Sequence, residues 1–353
     1  MIIERKINIA GSNDATASER RSLLMVIIII SAVVFFLFLT ALCIGRYNIK
    51  LVEVINAIVP KFLNGDKSID DVTYNVIFNL RLPRIIAAIL IGGALALSGT
   101  TFQGIFKNPL VSPDLLGVSN GSCVGAAFAI LLGGGIYGIQ VSAFIFGIIT
   151  VIITMSIPRI MKRDSTIVLV LSGIIVSGFM ASILGLMKYV ADPETQLADI
   201  TYWQLGSIAK VNFDSISKIA PFIIISGGIL LALRWRINIL SLGDNEARSL
   251  GIDLRIEKGL AILCATILTA SSVCISGTIG WIGLVMPHLA RMLVGNNNVR
   301  TLPVATIMSS GFLLIVDTIA RTISVGEIPL GILTGLIGAP FFGWMLIKQK
   351  MEA

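Results

Sequence analysis

Charge is scarce in this chain and histidine nearly absent. Asp, Glu, Lys and Arg together make up 13% of its 353 residues against 55% hydrophobic residues, too few to coat a water-soluble body. The one histidine, His288, has no ligand residues beside it, and Cys43, Cys123, Cys264 and Cys274 show no CxxC spacing, which excludes a conventional zinc site. Each cysteine lies in or beside an apolar stretch and is read as a small packing residue. No GxxxxGKS or GxxxxGKT loop occurs, so the chain does not cradle nucleotide phosphates in the P-loop manner. Gly133, Gly135 and Gly138 match GxGxxG, but they form a turn between apolar runs, without the strand, helix and ribose-binding acid of a dinucleotide site. A single histidine without convergent carboxylates also excludes a membrane enzyme.

What remains is apolar length. A membrane helix needs about 20 largely apolar residues because lipid offers no hydrogen bonds to bare backbone. Ten stretches approach that measure: Leu23 to Gly45, Ile85 to Phe106, Leu115 to Leu132, Ile136 to Ile157, Ile167 to Val190, Ile216 to Leu233, Gly259 to Ile275, Gly277 to Val294, Leu302 to Ile319 and Leu330 to Ile347. The expected fold is an all-α polytopic membrane protein with ten transmembrane helices, a polar segment 1–22 and one membrane domain over 23–350. The first run is too long for a signal peptide and lacks a cleavage site. Ten spans place both termini on one side, and the surplus of Lys and Arg on that side makes it the cytoplasm. The net charge of +7 sits in short connections, which fits membrane topology and not nucleic acid.

Three connections are long enough to fold. Residues 46–84, outside, contain an apolar-periodic piece, Leu51 to Phe62, suited to a surface helix. A second short outer helix is expected over 200–209. Inside, 234–258 contains a short helix bounded by Gly243 and Gly251. The halves of five spans each would have opposite orientation, as inverted repeats do.

Small residues recur at close-packing spacing: Gly117, Gly121 and Gly125, then Gly173 with Ser177, Gly178 with Ser182, and Gly331 with Gly335. Asp317 is the carboxylate inside a span, and such groups are costly. Arg321, four residues on, is its expected ion-pair partner; the competing reading makes Asp317 the coupling group of a proton-driven secondary transporter. Arg81, Arg84 and Arg321 at the outer end form an expected basic rim that grips carboxylates of a soluble partner; the competing reading has them contact lipid phosphates or pair with nearby acids such as Asp70 and Asp71. Reversing Arg81 and Arg84 to Glu is expected to abolish stimulation by the soluble partner and leave the membrane fold intact.

Several long motifs in order resemble the FecCD family of permeases, the membrane subunits of binding-protein-dependent ABC importers for iron siderophores, haem and vitamin B12. They are Arg81-Leu82-Pro83-Arg84, the run Gly104 to Gly121 containing Lys107-Asn108-Pro109-Leu110-Val111-Ser112-Pro113, Leu242 to Ile252, Gly280-Trp281-Ile282-Gly283 through Met286-Pro287-His288, and Glu327-Ile328-Pro329-Leu330-Gly331 with Gly338-Ala339-Pro340.

The resemblance implies a type II ABC importer permease fold in a bacterial cytoplasmic membrane. It implies a second permease subunit, identical or related, around one central pathway, two ATPase subunits that carry the ATP and Mg, and an extracytoplasmic binding protein. The chain itself then binds no cofactor. Gly243, Asp244, Glu246, Ala247, Arg248, Leu250 and Gly251 match the loop that docks on the ATPase. Arg81, Arg84 and Arg321 match the residues that receive the binding protein. The fifth and tenth spans match the pathway helices, with Ser172, Ser177, Met180, Ser182, Gly331 and Gly335 as candidate lining. Ferric siderophore is the expected cargo because it is the commonest in similar proteins, with haem, cobalamin or an oxyanion as alternatives.

Overall fold

The computed structural model describes residues 2–63, 70–162, 166–324 and 326–352, with side chains described over a somewhat narrower set. The 64–69 part of the outer connection, including Lys67, and Arg163 lie outside the described residues, and the side chains of 2–20 are likewise not described.

Backbone in an apolar solvent must bond to itself, and this chain does so through helices alone; no strand occurs among the described residues. In order these are α1 (Ile2–Cys43), α2 (Leu51–Leu63), α3 (Asp71–Asn75), α4 (Leu82–Phe106), α5 (Val118–Leu131), α6 (Ile136–Ile160), α7 (Thr166–Val190), α8 (Gln196–Leu205), α9 (Phe213–Ala232), α10 (Arg234–Leu240), α11 (Asp244–Ser249), α12 (Leu254–Ser276), α13 (Ile282–Val294), α14 (Asn298–Ile323) and α15 (Leu330–Glu352). A π-helical turn, Val76–Arg81, joins α3 to α4 through an i to i−5 bond from the Leu82 N–H to Ile77 O, so Asp71–Phe106 is one helical rod. Arg81 and Arg84 therefore belong to a helix and not to a loop.

Each of the ten apolar stretches contains a helix. Seven described helices are long and apolar enough to cross a membrane, and three apolar helices are shorter. Two of the short ones, α5 with 14 residues and α13 with 13, reach only about 20 Å, less than the roughly 30 Å of a hydrocarbon core. The eighth stretch is shorter than expected because Gly277 and Trp281 adopt positive φ (66° and 71°), which no continuing α-helix accommodates. The outer short helix also shifts, from the expected 200–209 to Gln196–Leu205. Gly206 (φ 77°) stops it, and Ser207 turns to donate its N–H to Ser276 O.

The core is built around α4, which packs along α14, α12 and α13. Small and hydroxylated residues allow these backbones to meet: a Cβ on Gly92 would lie 2.5 Å from Ser309 O, and one on Gly99 1.9 Å from Gly283 O. Serine hydroxyls supply the cross-links that lipid-embedded helices need. Ser309 Oγ donates to Gly92 O (2.6 Å), Ser310 Oγ to Ile89 O (2.8 Å) and Ser98 Oγ to Ala265 O (2.9 Å). By contrast, Leu24, Met25, Ile28, Ile29, Phe35 and Phe36 of α1 are exposed, as expected of a peripheral helix facing lipid.

Candidate functional site

The rod from Asp71 to Phe106 carries a charged group near each end of its α4 portion, and the two candidate sites form around those ends. Arg84, in the first turn of α4, and Lys107, its C-terminal cap, are 23 residues apart, about 35 Å along an α-helix.

At the Arg84 end the three sequence-predicted arginines come together, turned inward. Arg84 Nε lies 2.7 Å from Asp317 Oδ1, and its Nη1 lies 2.8 Å from Glu327 Oε2. Arg81 donates to the carbonyls of Leu42 (2.5 Å), Cys43 (3.1 Å) and Tyr47, while Arg321 donates to Ala41 O. Carbonyls at the end of α1 lack helical partners, so two arginines cap that helix. Arg81, Arg84 and Arg321 are only 5–8% exposed. They do not form an open rim in the isolated chain. The expected Asp317–Arg321 pair is also secondary: Arg321 Nε stands 4.0 Å from Asp317 Oδ2, because Arg84, arriving from α4, takes the near oxygen. Asp70 does not pair with these arginines; it accepts the Thr73 N–H and caps α3.

Glu327 belongs to this cluster, a role that the sequence did not single out. Its signal was its place in the Glu327-Ile328-Pro329 motif. It adopts a left-handed backbone (φ 48°), a conformation unusual outside glycine. Three residues on, the Leu330 N–H donates to Gly206 O (2.8 Å). The cluster is thus tied by one short segment to the end of α8 and the start of α15.

At the other end, Lys107 caps α4 in the left-handed conformation (φ 52°), and its Nζ lies 3.4 Å from Asp244 Oδ1. Lys258 Nζ contacts both Asp244 oxygens at 2.8 Å. Burial raises the Asp244 carboxyl, but the Lys258 hydrogen bonds and charge, with Lys107, outweigh it and hold the group below its ordinary value. One carboxylate of α11 therefore joins α4 and α12. The expected short helix forms between its glycines: Gly243 faces the Glu246 carboxylate, which folds back over the position a Cβ would take, and Gly251 has φ 78°. Ala247 is buried against Ile239 and Leu240, while Glu246, Arg248 and Leu250 are exposed. The loop therefore presents a mixed apolar and charged face anchored from beneath.

The candidate pathway residues divide. Ser172 and Met180 are buried in helix contacts, Ser172 Oγ donates to Val168 O, and Gly173 meets Leu115 O. Ser177 is half-buried beside Gly117. Ser182 is exposed, on an α7 that also exposes Leu171, Ile174, Ile175 and Phe179, and a Cβ on Gly178 or Gly185 would meet nothing within 4 Å. This apolar, small-residue face is open in the single chain. Gly331 packs on Leu205 O and Thr278 O, and Gly335 approaches the Trp281 ring.

Gln103 was not singled out from the sequence, although a polar residue inside an apolar run is the signal for it. Its Nε2 donates to Val111 O (3.1 Å) and Leu284 O (3.4 Å), and its Oε1 accepts from Arg291 Nη1 (2.6 Å). This one amide holds the 104–121 motif against the 280–288 motif.

The chain matches the FecCD transport family model over residues 27–348. It is 41% identical over 311 residues to the molybdate import system permease protein MolB of Haemophilus influenzae, covering 88% of this chain and 91% of that one. It is 40% identical to a probable iron chelatin transport system permease protein of Helicobacter pylori, covering 78% and 83%. A solved inward-facing ABC transporter of metal-chelate type superimposes with a TM-score of 0.82 at 38% identity, over 92% of this chain and 99% of that one. This chain therefore belongs to the FecCD transport family and is a permease subunit of an ABC transporter.

Proposed function

We propose that this chain is the membrane permease of a binding-protein-dependent ABC importer that carries a metal chelate, specifically a ferric siderophore, inward by ATP-driven alternating access. The observation that carries the reading is the near-complete structural match to the metal-chelate type transporter. In this reading both termini and the α11 end are cytoplasmic, two ATPase subunits dock on α11, and a second permease covers the open face of α7. The Arg84 end is then external and receives the binding protein through Arg81, Arg84 and Arg321. ATP and Mg on the partners supply the driving force. This chain's residues transmit it: Asp244 passes motion from α11 to α4 and α12 through Lys107 and Lys258. Docking shifts the equilibrium only to the extent that the partner binds one conformation better than the other.

Chelated cargo suits the helices. Among the described residues no group of three or more His, Cys, Asp or Glu side chains is placed to hold a bare metal ion, and a cargo that brings its own ligands needs none. Molybdate, an oxyanion already saturated with oxygen, is the second reading, favoured by the 41% identity to the molybdate permease. The test is reconstitution with the cognate ATPase and binding protein, followed by uptake of labelled ferric siderophore and molybdate. ATP-dependent accumulation of the siderophore supports the first reading; accumulation of molybdate alone replaces it. Accumulation by this chain alone under a proton gradient would overturn both.

A further inference from the structure

A cleft of about 410 Å³ opens at the α11 end, between the ends of α4, α6, α7 and α12 and the α11 loop. Its floor is apolar: Ile105, Phe106, Pro158 and Ile262 are buried, with Met155 and Leu169 partly so. Its rim is basic. Arg159, Arg248 and Arg255 are exposed, and none of them makes an ion pair among the described residues. The remaining charges are already engaged. Lys258 is held by Asp244, and Asp253 caps α12 by accepting the Arg255 and Ile256 N–H groups. The same helix ends also expose Ile152, Ile160, Ile167 and Leu171, so the apolar floor is flanked by surface that lipid tails solvate.

An apolar floor beside lipid-facing helices, under three unmatched guanidiniums, fits an amphiphile with an anionic head. We propose that this cleft binds an anionic phospholipid, its phosphate on Arg159 and Arg255 with Arg248 beside them, and its proximal acyl carbons on Met155, Leu169 and Ile262. Guanidinium pairs with phosphate bidentately, and basic pockets between helix ends at the membrane margin select anionic head groups. The α11 loop forms one wall, so an occupied cleft props that loop against α4 and α12. The lipid is then a structural ligand of the surface that faces the ATPase. The chemistry is independent of which cargo the transporter carries.

The experiment uses the full-length permease in nanodiscs of phosphatidylcholine, with and without phosphatidylglycerol, and native mass spectrometry of the lipids retained on release. The wild type should retain phosphatidylglycerol over phosphatidylcholine by roughly thirtyfold, the selectivity expected of two basic side chains at a membrane surface. The R159Q/R255Q variant should lose that preference, while K210E, which alters an exposed lysine elsewhere, should keep it. Unchanged melting of R159Q/R255Q in pure phosphatidylcholine separates lipid loss from misfolding. Equal retention of both lipids, or an intact preference in R159Q/R255Q, overturns the proposal. So does displacement by millimolar inorganic phosphate, which would mark a free-anion site, or an ATPase segment filling the cleft in the assembled complex.

Discussion

One guanidinium, that of Arg84, grips two carboxylates with different nitrogens: Nε meets Asp317 at 2.7 Å and Nη1 meets Glu327 at 2.8 Å. The first bond crosses from α4 to α14 in a fully buried position, with Asp317 0% exposed. The second reaches a partly exposed turn that leads into α15. The same arginine therefore holds the core together and restrains the segment beside α8.

Removing the buried acid should be costly. Asp317→Asn leaves Arg84 with Glu327 alone and Arg321 without a carboxylate. Breaking one side of a buried ion pair typically costs about 3–5 kcal/mol. A large fall in melting temperature in detergent is expected. An Arg84→Ala, Asp317→Ala double variant should lose less than the sum of the singles, since the Arg84–Asp317 pair is then removed as a unit and only Arg321 and the partly exposed Glu327 lose a partner.

Burial changes what charge reversal at the docking arginines will do. Arg81→Glu and Arg84→Glu place acids against the α1 carbonyls and against Asp317, so the expected result is loss of folded protein, contrary to the sequence expectation of an intact fold. Glu327→Gln is the informative variant, because its side chain is 32% exposed. It should fold normally and bind the binding protein more tightly, as Arg84 Nη1 is freed for an incoming carboxylate. Weaker binding, measured by surface plasmon resonance on the reconstituted permease, would count against docking at Arg84.

The Asp244 link should be pH-dependent with a definite sign. Its folded-state carboxyl lies below the ordinary value, so its contribution is fully present above about pH 4, the ordinary aspartate value, and is lost as pH falls through the lower folded value. Asp244→Asn should melt slightly lower than wild type at neutral pH, and the two should converge in acid. Because the pair is partly exposed, the difference should be no more than about 1 kcal/mol. ATPase stimulation by binding protein should fall more sharply than stability does.

Glycines at helix contacts separate static packing from an open face. Gly99→Ala puts a methyl into Gly283 O. Overpacking of about 1–3 kcal/mol then outweighs the helix-propensity gain of up to about 1 kcal/mol, and melting should fall. Gly178→Ala meets nothing in the single chain, so monomer stability should hold or rise. If a second permease covers that face of α7, the same substitution should lower the dimer fraction by analytical ultracentrifugation.

Much of this architecture is legible in the residues. Apolar length marks the seven described helices long enough to cross a membrane and the three shorter apolar ones, because lipid cannot bond to bare backbone. Gly243 and Gly251 bracket α11 because tight turns and close approaches favour residues without a Cβ. Asp317 is conspicuous as a carboxylate in a span. The local signal fails where partners come from distant helices. An i,i+4 spacing favours Arg321 as the partner of Asp317, yet Arg84, 233 residues away, reaches it first. Gln103 carries no motif of its own, and its role appears only when 104–121 and 280–288 fold together.

Composition and periodicity by themselves determined that this is a helical membrane protein and which apolar stretches carry its longer helices, since these depend on the solvent each short segment meets. Only the tertiary structure decided that the three arginines point inward, that Glu327 joins them, and that Ser172 is buried while Ser182 is exposed. Those outcomes depend on which helices approach one another, and in a bilayer that choice rests on backbone fit at small residues and on finding partners for buried charge.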